Sequence, residues 1–498
     1  MELTYQQSAI LLALTKTTDN LAIVARAGCG KTSTILLCVD ELIKTAPEKS
    51  SIICAYNKAI RDEIKAKLDS KGIDFRQCQA STMHSIGLNL IKQVNKEIKI
   101  DAKKVWNIID QTNSVFAITH KPFIAELVEK AKGEGFGYFP DRRIANSGDW
   151  EQMISHYDIS YDFSGSEEKS EYELLQMCIQ AAAHVYEESL RQKDVVDFGD
   201  MILWPLINSI PVKYPFDNVL ADEVQDFSRV RQALARKLVK PRTGRMIIVG
   251  DDRQAIYGFN GADADALPNM ISSMSAKVFP LSKTFRCPIA VVAEAQHYVP
   301  DIEAAEWAKP GSVSSATVLP SDLDKNTAIL CRNTAPLIGL AFKLISSGIA
   351  AKVEGRDIGR GLQRIVGRWK KVRTIDEFLA KLDSYELHEE QKAKARGDEA
   401  KEEQVHDTCG TLRAIAEGCL AKGEESIMDM SRAIEDLFAD DARGCVTLCT
   451  YHRSKGREWP RVLLYRHRDL CPSKYAKQPW QRRQEDNLAY VAITRAQG

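Results

Sequence analysis

The sequence lacks a net charge, because 68 Lys and Arg residues meet 68 Asp and Glu residues. That balance excludes a uniformly basic protein that coats nucleic acid, so any polyanion would have to meet a local basic groove. The 12 cysteines include no C-x-x-C pair, and Cys445 and Cys449 have no further His/Cys pair at zinc-ligand spacing. No zinc site is expected, and the scattered thiols read as the reduced cysteines of a cytosolic protein. Long apolar runs are missing too: the longest near the start, residues 9–14, is too short to span a bilayer. It has neither a basic n-region nor a cleavage site, so no signal peptide is indicated and a soluble cytoplasmic protein is expected. Repeats at solenoid periods and low-complexity linkers are also missing. What is present is globular in composition. Hydrophobic residues make up 44% and charged residues 27%, which excludes wholesale disorder. At about 150 residues per domain, the chain suggests three or four domains.

Short β-rich runs recur, at residues 21–24, 51–55, 218–221, 246–249, 328–331, 446–450 and 462–465. They alternate with helical stretches such as 58–68 and 228–239, the pattern of parallel sheets covered on both faces. The fold class is therefore α/β. In such sheets ligands bind at the carboxyl ends of strands, where Gly28, Asn57, Asp222 and Asp251 follow the apolar runs. Two stretches break the alternation. Residues 91–191 read as mainly helical, with turn-rich segments at 133–140 and 160–168, and residues 361–443 read as helical and highly charged. The run 386–403 carries as much acid as base and reads as a solvated helix face. The stretch 172–186 is apolar at helical spacing and reads as core.

Ala25-Arg26-Ala27-Gly28-Cys29-Gly30-Lys31-Thr32 lies between a strand and a helix, and Ser33 opens the helical run. This is G-x-x-x-x-G-K-[ST] with alanine first. Small residues let backbone N–H groups wrap phosphates, and the helix N-terminus adds its dipole. Lys31 would reach the β- and γ-phosphates and Thr32 would hold Mg²⁺. A second cluster, Asp222-Glu223-Val224-Gln225-Asp226, follows another strand. Acidic pairs in loops are usually only solvated surface. Combined with a phosphate loop, Asp222 becomes a Mg²⁺ ligand, directly or through water, and Glu223 the base that deprotonates the attacking water. The two clusters are too far apart for one simple nucleotide-binding unit, so a domain inserted between them is expected.

These segments resemble the UvrD/PcrA-type superfamily 1 DNA helicases, close to the F-box DNA helicase branch, with motifs in family order over most of the chain. Leu3-Thr4-Tyr5-Gln6-Gln7 resembles the adenine-reading Q motif, with Gln7 at the reading position. Tyr56-Asn57-Lys58-Ala59 and Ser81-Thr82-Met83-His84-Ser85 resemble the next two motifs, which implies strand contacts for Asn57 and His84. Residues 196–201 are similar to the segment leading back into the first core. The 222–226 cluster matches motif II and residues 249–262 motif III, which implies that Gln254 senses the γ-phosphate while Tyr257 and Phe259 lie beside the DNA track. Thr284-Phe285-Arg286-Cys287-Pro288 is similar to motif IV, with Phe285 stacking on adenine and Arg286 as a first arginine finger. Residues 450–459 resemble motif V, with His452 on the strand and Glu458 on the nucleotide. Residues 490–496 resemble motif VI, with Arg495 as the second finger. The departures are Tyr56 directly before Asn57, Arg253 where acidic or small residues are common, Phe259 for the usual tryptophan, and a small second insertion. The family continues into another strand where this sequence reaches Gly498, which implies a truncated chain.

The resemblance implies two RecA-like cores, 1–90 with 192–282 and 283–360 with 444–498, each carrying a mainly helical insertion. ATP and Mg²⁺ are the implied cofactors, and single-stranded DNA and duplex junctions the implied partners of a monomer. Hydrolysis at a cleft that closes around ATP would drive 3′-to-5′ movement in DNA repair, replication or recombination. Tyr257 and Phe259 with Asn260 suit stacking on unpaired bases, although Tyr257 suits core packing equally. A lone histidine is more often structural, and only motif position lifts His84 and His452. Two other readings remain open: a translocase that strips proteins from DNA without unwinding it, and an ATP-gated DNA-binding switch.

Overall fold

The computed structural model describes residues 3–157, 159, 170–256, 265–320, 322–369, 371–396, 399–438 and 444–497. The turn-rich expectation at 160–168 and the DNA-track residues Tyr257 and Phe259 lie outside the described residues. The chain divides into two units, Met1–Ser282 and Lys283–Gly498.

In chain order the strands of the first unit are β1 (Leu21–Ala25), β2 (Ser51–Ala55), β3 (Cys78–Thr82), β4 (Lys99–Ile100), β5 (Val195–Val196), β6 (Asn218–Ala221), β7 (Arg245–Gly250) and β8 (Lys277–Leu281). Six of them form one parallel sheet in the order β3-β2-β6-β7-β1-β8. Side chains alternate across a strand, and the core obeys that period. Ala22, Ile52, Cys54, Val219, Ala221, Met246 and Ile248 point into one cluster. Leu21, Ile23, Ile53, Ala55, Leu220, Ile247 and Val249 point into the other. Both faces are therefore covered, which is why these strands read as unbroken apolar runs.

Between β3 and β6 the chain leaves the sheet. The parallel pair β4 and β5, with Lys99 opposite Val195, brackets helices Lys104–Gln111, Val115–Thr119, Lys121–Glu134, Ser147–Tyr157 and Glu171–Arg191. The last begins at a capping box made by Ser170 and Glu173 and buries Leu174, Cys178, Ala182, Val185 and Tyr186, the apolar stripe legible in its sequence. Their core is continuous with one face of the sheet. A buried ionic cluster fastens them to the returning chain. Lys132 pairs with Asp197 and Asp200, both at 2.6 Å, and Lys104 with Asp200 at 2.7 Å. The Lys104 ammonium also donates to the Ser189 carbonyl at 2.7 Å. Burial pulls the Lys104 pKa down against the attraction of Asp200. Removing one partner of such a cluster costs about 3–5 kcal/mol, because the other charge is left buried and uncompensated.

The second unit contains β9 (Lys283–Thr284), β10 (Glu303–Ala304), β11 (Thr327–Cys331), β12 (Ala351–Val353), β13 (Val446–Thr450) and β14 (Arg461–Leu464). The last four form a parallel sheet in the order β12-β13-β11-β14. Helices Arg356–Val366, Ile375–Arg396, Glu399–Leu420 and Ile427–Leu437 lie between β12 and β13. The expectation of a solvated face over 386–403 needs correction. Glu386 is buried and pairs with Arg413, while Glu403 accepts from Arg332 at 3.3 Å and from Ser473 at 2.8 Å. The two long helices pack together through Phe378, Leu382, Val405, Cys409 and Leu412, so carboxylates beside that seam are taken out of water and held by guanidinium groups.

All 12 cysteines are free thiols, and burial pushes Cys38, Cys54 and Cys449 up to about 12. No helix among the described residues is long and apolar enough to cross a membrane.

Candidate active site

At the carboxyl end of β1 the chain makes the turn that small residues permit. Gly28 and Gly30 both take φ of +73°, a left-handed conformation that costs glycine little. Arg26 N–H donates to the Leu281 carbonyl at 2.9 Å and Cys29 N–H to the Arg26 carbonyl at 3.2 Å. Gly30 caps helix Lys31–Thr45 without a side-chain acceptor, so the loop presents backbone N–H groups and a helix N-terminus together. Ala25 and Ala27 are buried, Lys31 and Thr32 half-buried, and Ser33 exposed.

Motif II meets this loop directly. β6 lies two strands from β1 in the sheet, and its end delivers Asp222 and Glu223 to the same edge. Lys31 Nζ lies 2.8 Å from Glu223 Oε2. Glu223 itself is held at φ +52°, a sparsely populated conformation for a non-glycine residue that costs on the order of 1 kcal/mol. Burial and the neighbouring Glu223 push the Asp222 carboxyl up to about 7. Burial opposes the Lys31 charge, yet Glu223, Asp251 and Asp222 outweigh it and hold the ammonium above its usual pKa.

A chain of side chains extends this pair to motif III. Gln225 donates to Glu223 Oε2, and its own Oε1 accepts from Asp251 N–H at 3.0 Å. Buried Asp251 then accepts from Gln254 Nε2 at 2.7 Å and from Arg26 at 3.0 Å, while Arg26 also reaches Asp252 at 2.7 Å. Lys31, Glu223, Gln254 and Arg26 are thus joined, and Gln225 and Asp251, to which the sequence reading gave no role of their own, are the links. A phosphate and a divalent cation suit this donor set. The loop offers N–H groups, Lys31 a charge, and Asp222 a buried carboxyl at the same edge.

Gln7 is buried, with Oε1 accepting from Thr4 N–H at 3.1 Å and Nε2 donating to Thr34 Oγ1 at 3.2 Å. It is therefore tied to the phosphate-loop helix. Its neighbour Gln6 exchanges hydrogen bonds with Ser282, at 2.8 and 3.0 Å.

In the second unit, Arg286 Nε lies 2.6 Å from Glu458 Oε2, and Glu458 Oε1 accepts from Gln497 at 2.7 Å. Phe285 is 37% exposed. Arg495 is buried, its Nε donating to the Val491 carbonyl at 2.8 Å, with further bonds to the Arg457 carbonyl at 3.3 Å and Thr494 Oγ1 at 3.1 Å. Arg286 and Glu458 are thus brought together, while Arg495 lies packed beside them through Thr494, whose carbonyl Arg286 reaches at 3.5 Å.

The first unit also holds a cavity of about 620 Å³ at the ends of β2 and β3, lined by Tyr56, His84, Trp106, Lys130, Phe198 and Arg231 among others. His84 packs edge-on to Phe198 with centroids 5.8 Å apart, and the Arg231 guanidinium lies 5.8 Å from the Tyr56 ring. Aromatic faces beside cations suit stacking on unpaired bases along a phosphate backbone. Asn57 stands at the same edge, but its Oδ1 caps helix Lys58–Ser70 by accepting from Ile60 N–H at 2.9 Å. In the second unit His452 is half-buried at the end of β13.

The sequence model of the UvrD/REP helicase N-terminal domain matches residues 4–275, which include the phosphate loop, motif II and the cavity. The chain belongs to the UvrD/REP helicase family. Two RecA-like parallel-sheet cores fit that family. Similar proteins include the F-box DNA helicase protein 1 of Schizosaccharomyces pombe, 23% identical over 99% of this chain and 56% of that protein. DNA helicase II of Haemophilus influenzae is 22% identical over 56% of this chain and 38% of its own length. The ATP-dependent DNA helicase Rep of Escherichia coli is 26% identical over 53% and 38%. The chain therefore spans between about two fifths and little more than half of the length of these relatives.

Within this UvrD/REP chain, Tyr56, Trp106, Phe198 and Arg231 are cavity residues that the sequence reading did not assign to DNA. Tyr56 carried a signal, an aromatic at a strand end beside Asn57. Trp106 and Arg231 carried none, because their elements reach the cavity only through the fold. His84 and His452 both hold their protons less readily than a free imidazole. Burial, then Arg231, pushes His84 down to about 4, and burial, then Arg332, pushes His452 down to about 3. A histidine whose folded pKa lies below its unfolded value binds its proton more readily when unfolded. Stability is then full above the unfolded value near 6.5 and falls as pH drops toward the folded one. In thermal melts His84→Gln is expected to lose more stability, relative to wild type, at pH 7.5 than at pH 5. A gap of the same size at both values would show that His84 does not titrate in this way.

Proposed function

We propose that this chain is an ATP- and Mg²⁺-dependent DNA helicase and single-stranded DNA translocase. It moves 3′ to 5′ and couples hydrolysis to strand separation in DNA repair, replication or recombination. The observation that carries the reading is the 2.8 Å contact between Lys31 of the phosphate loop and Glu223 of motif II, within one parallel sheet of a UvrD/REP chain. The names of the relatives support DNA as the polymer.

Bound nucleotide with Mg²⁺ supplies the phosphoryl group and the charge that steadies it. The chain does the rest. Lys31 would leave Glu223 for phosphate oxygens, and Thr32 and Asp222 would hold the cation. Glu223, freed of Lys31, accepts a proton from water at its carboxylate. Gln254 reads the γ-phosphate, and through Asp251 and Gln225 its position is tied to Glu223. Arg286 and Arg495 add positive charge where negative charge develops. Gln7, Phe285 and Glu458 address base and ribose. Asn57, His84, Tyr257, Phe259 and His452, with Tyr56 and Arg231, grip the strand.

Steady-state hydrolysis by the full chain, with and without single-stranded DNA, tests the motor. Strong stimulation is expected, together with displacement of strands from duplexes carrying a 3′ tail rather than a 5′ tail. Hydrolysis indifferent to DNA would refute coupling, and unwinding from 5′ tails would refute the polarity.

A further inference from the structure

Trp307 is 61% exposed, and it does not stand alone. Its ring is stacked on that of Phe285, with centroids 5.7 Å apart and planes at 23°. The stacking is built rather than incidental. β9 and β10 pair in parallel, with Lys283 opposite Glu303 and Thr284 opposite Ala304. Phe285 follows one strand immediately and Trp307 follows the other by a short turn. Ala305 N–H donates to the Thr284 carbonyl at 3.2 Å, Ala308 N–H to the Ala305 carbonyl at 2.9 Å, and Lys283 is ion-paired to Glu306. Thr284 and Ala305 in the paired backbone are buried. Both backbones are thus fixed beside a stacked aromatic pair that is 37% exposed at Phe285 and 61% at Trp307. The next residue after Phe285 is Arg286, in contact with the Glu458 carboxylate. A flat apolar ledge beside a guanidinium and a carboxylate is the complement of a nucleotide, with base on ring, phosphate on cation and hydroxyl on carboxylate.

We infer that Trp307 is a positioning residue for the nucleobase. It covers one face of Phe285 and holds that ring so its opposite face receives a purine. This deepens the nucleotide reading above and rests on it. A protein partner would equally cover exposed rings, but it would not require the ion-paired guanidinium at the adjoining residue. A backed ring presents a wide, rigid stacking surface, which favours the two-ring purines over pyrimidines.

The test is steady-state hydrolysis of ATP and of CTP by the full chain carrying Trp307→Ala or Trp307→Phe, with Lys31→Ala alongside. Trp307→Ala is expected to raise KM for ATP about five- to tenfold, since an aromatic pair contributes about that factor. The change in kcat should stay within about twofold and KM for CTP should move less, since a smaller base stacks less area. Trp307→Phe should restore most of the ATP affinity. An unchanged KM for ATP in Trp307→Ala would overturn the assignment. So would parallel losses of kcat, KM and melting temperature that phenylalanine does not rescue, which would mark Trp307 as mere support for the fold. If Lys31→Ala hydrolyses ATP like the wild type, the nucleotide reading itself fails. If Lys31→Ala is dead while Trp307→Ala binds ATP normally, only the Trp307 inference fails.

Discussion

Lys31→Ala is expected to lower ATP hydrolysis by about 10²–10³-fold, the loss typical when one preorganised donor to developing charge is removed. The argument begins in the apo geometry. Lys31 is held at 2.8 Å from Glu223 and is surrounded by Asp222 and Asp251, which keep it charged despite burial. A phosphate would replace those carboxylates as its partner, so the ammonium meets the nucleotide already charged and largely desolvated. Removing it leaves Asp222 and Glu223 facing a polyanion without the Lys31 charge, while Asp251 keeps Arg26. Nucleotide binding should therefore weaken as well as turnover. Rates at saturating ATP, with equilibrium binding of a fluorescent ATP analogue, measure the two losses. Turnover within a few-fold of the wild type would remove Lys31 from the mechanism.

Glu223→Gln is expected to separate binding from turnover. General-base catalysis contributes about 10²–10⁴-fold, and kcat should fall by that order while nucleotide binding is retained or tightened. Two features underlie the split. Glutamine keeps the shape of the side chain, which projects from a left-handed turn at φ +52° whose N–H is held by Asp222 at 2.9 Å. Its loss of charge releases Lys31 from the ion pair, so the ammonium is more available to phosphate. The expected signature is a chain that traps unhydrolysed ATP, visible as nucleotide retained through gel filtration. Hydrolysis at the wild-type rate would show that another group takes the proton.

Most of the strands that were legible are buried on both faces; β14, read at 462–465 and found at Arg461–Leu464, is the exception at a sheet edge. β1, β2, β6, β7, β11 and β13 sit inside their sheets, and their apolar runs mark them within a residue at either end. The strands of the two larger sheets that were missed, β3, β8 and β12, all lie at sheet edges. β8 reads Lys-Val-Phe-Pro-Leu and is mostly exposed, with a proline that an edge tolerates because its missing N–H breaks no ladder. β3 reads Cys-Gln-Ala-Ser-Thr, half-covered and therefore half-polar. These edge strands escape the pattern because burial, which writes the pattern, is only partial there.

The charged run 386–403 was misread for a related reason. Its composition is that of a solvated face, but partners for Glu386 and Glu403 come from Arg413, Arg332 and Ser473, which only packing brings near. The same holds for the cavity, where Trp106 and Arg231 arrive on elements distant in sequence.

What the sequence determined by itself was local chemistry. A glycine turn followed by Lys31 and Thr32, and an acidic pair after an apolar strand, are readable because each motif's residues are neighbours along the chain and their backbone needs are short-range. The tertiary structure alone decided which side chains meet. It decided that Lys31 rests on Glu223, that Gln225 and Asp251 relay that contact to Gln254, that His84 holds its proton less readily, and that Trp307 backs Phe285. These pairings depend on strand order and on how helical connections return to the sheet. Burial then fixes their charges, and no window of sequence contains that information.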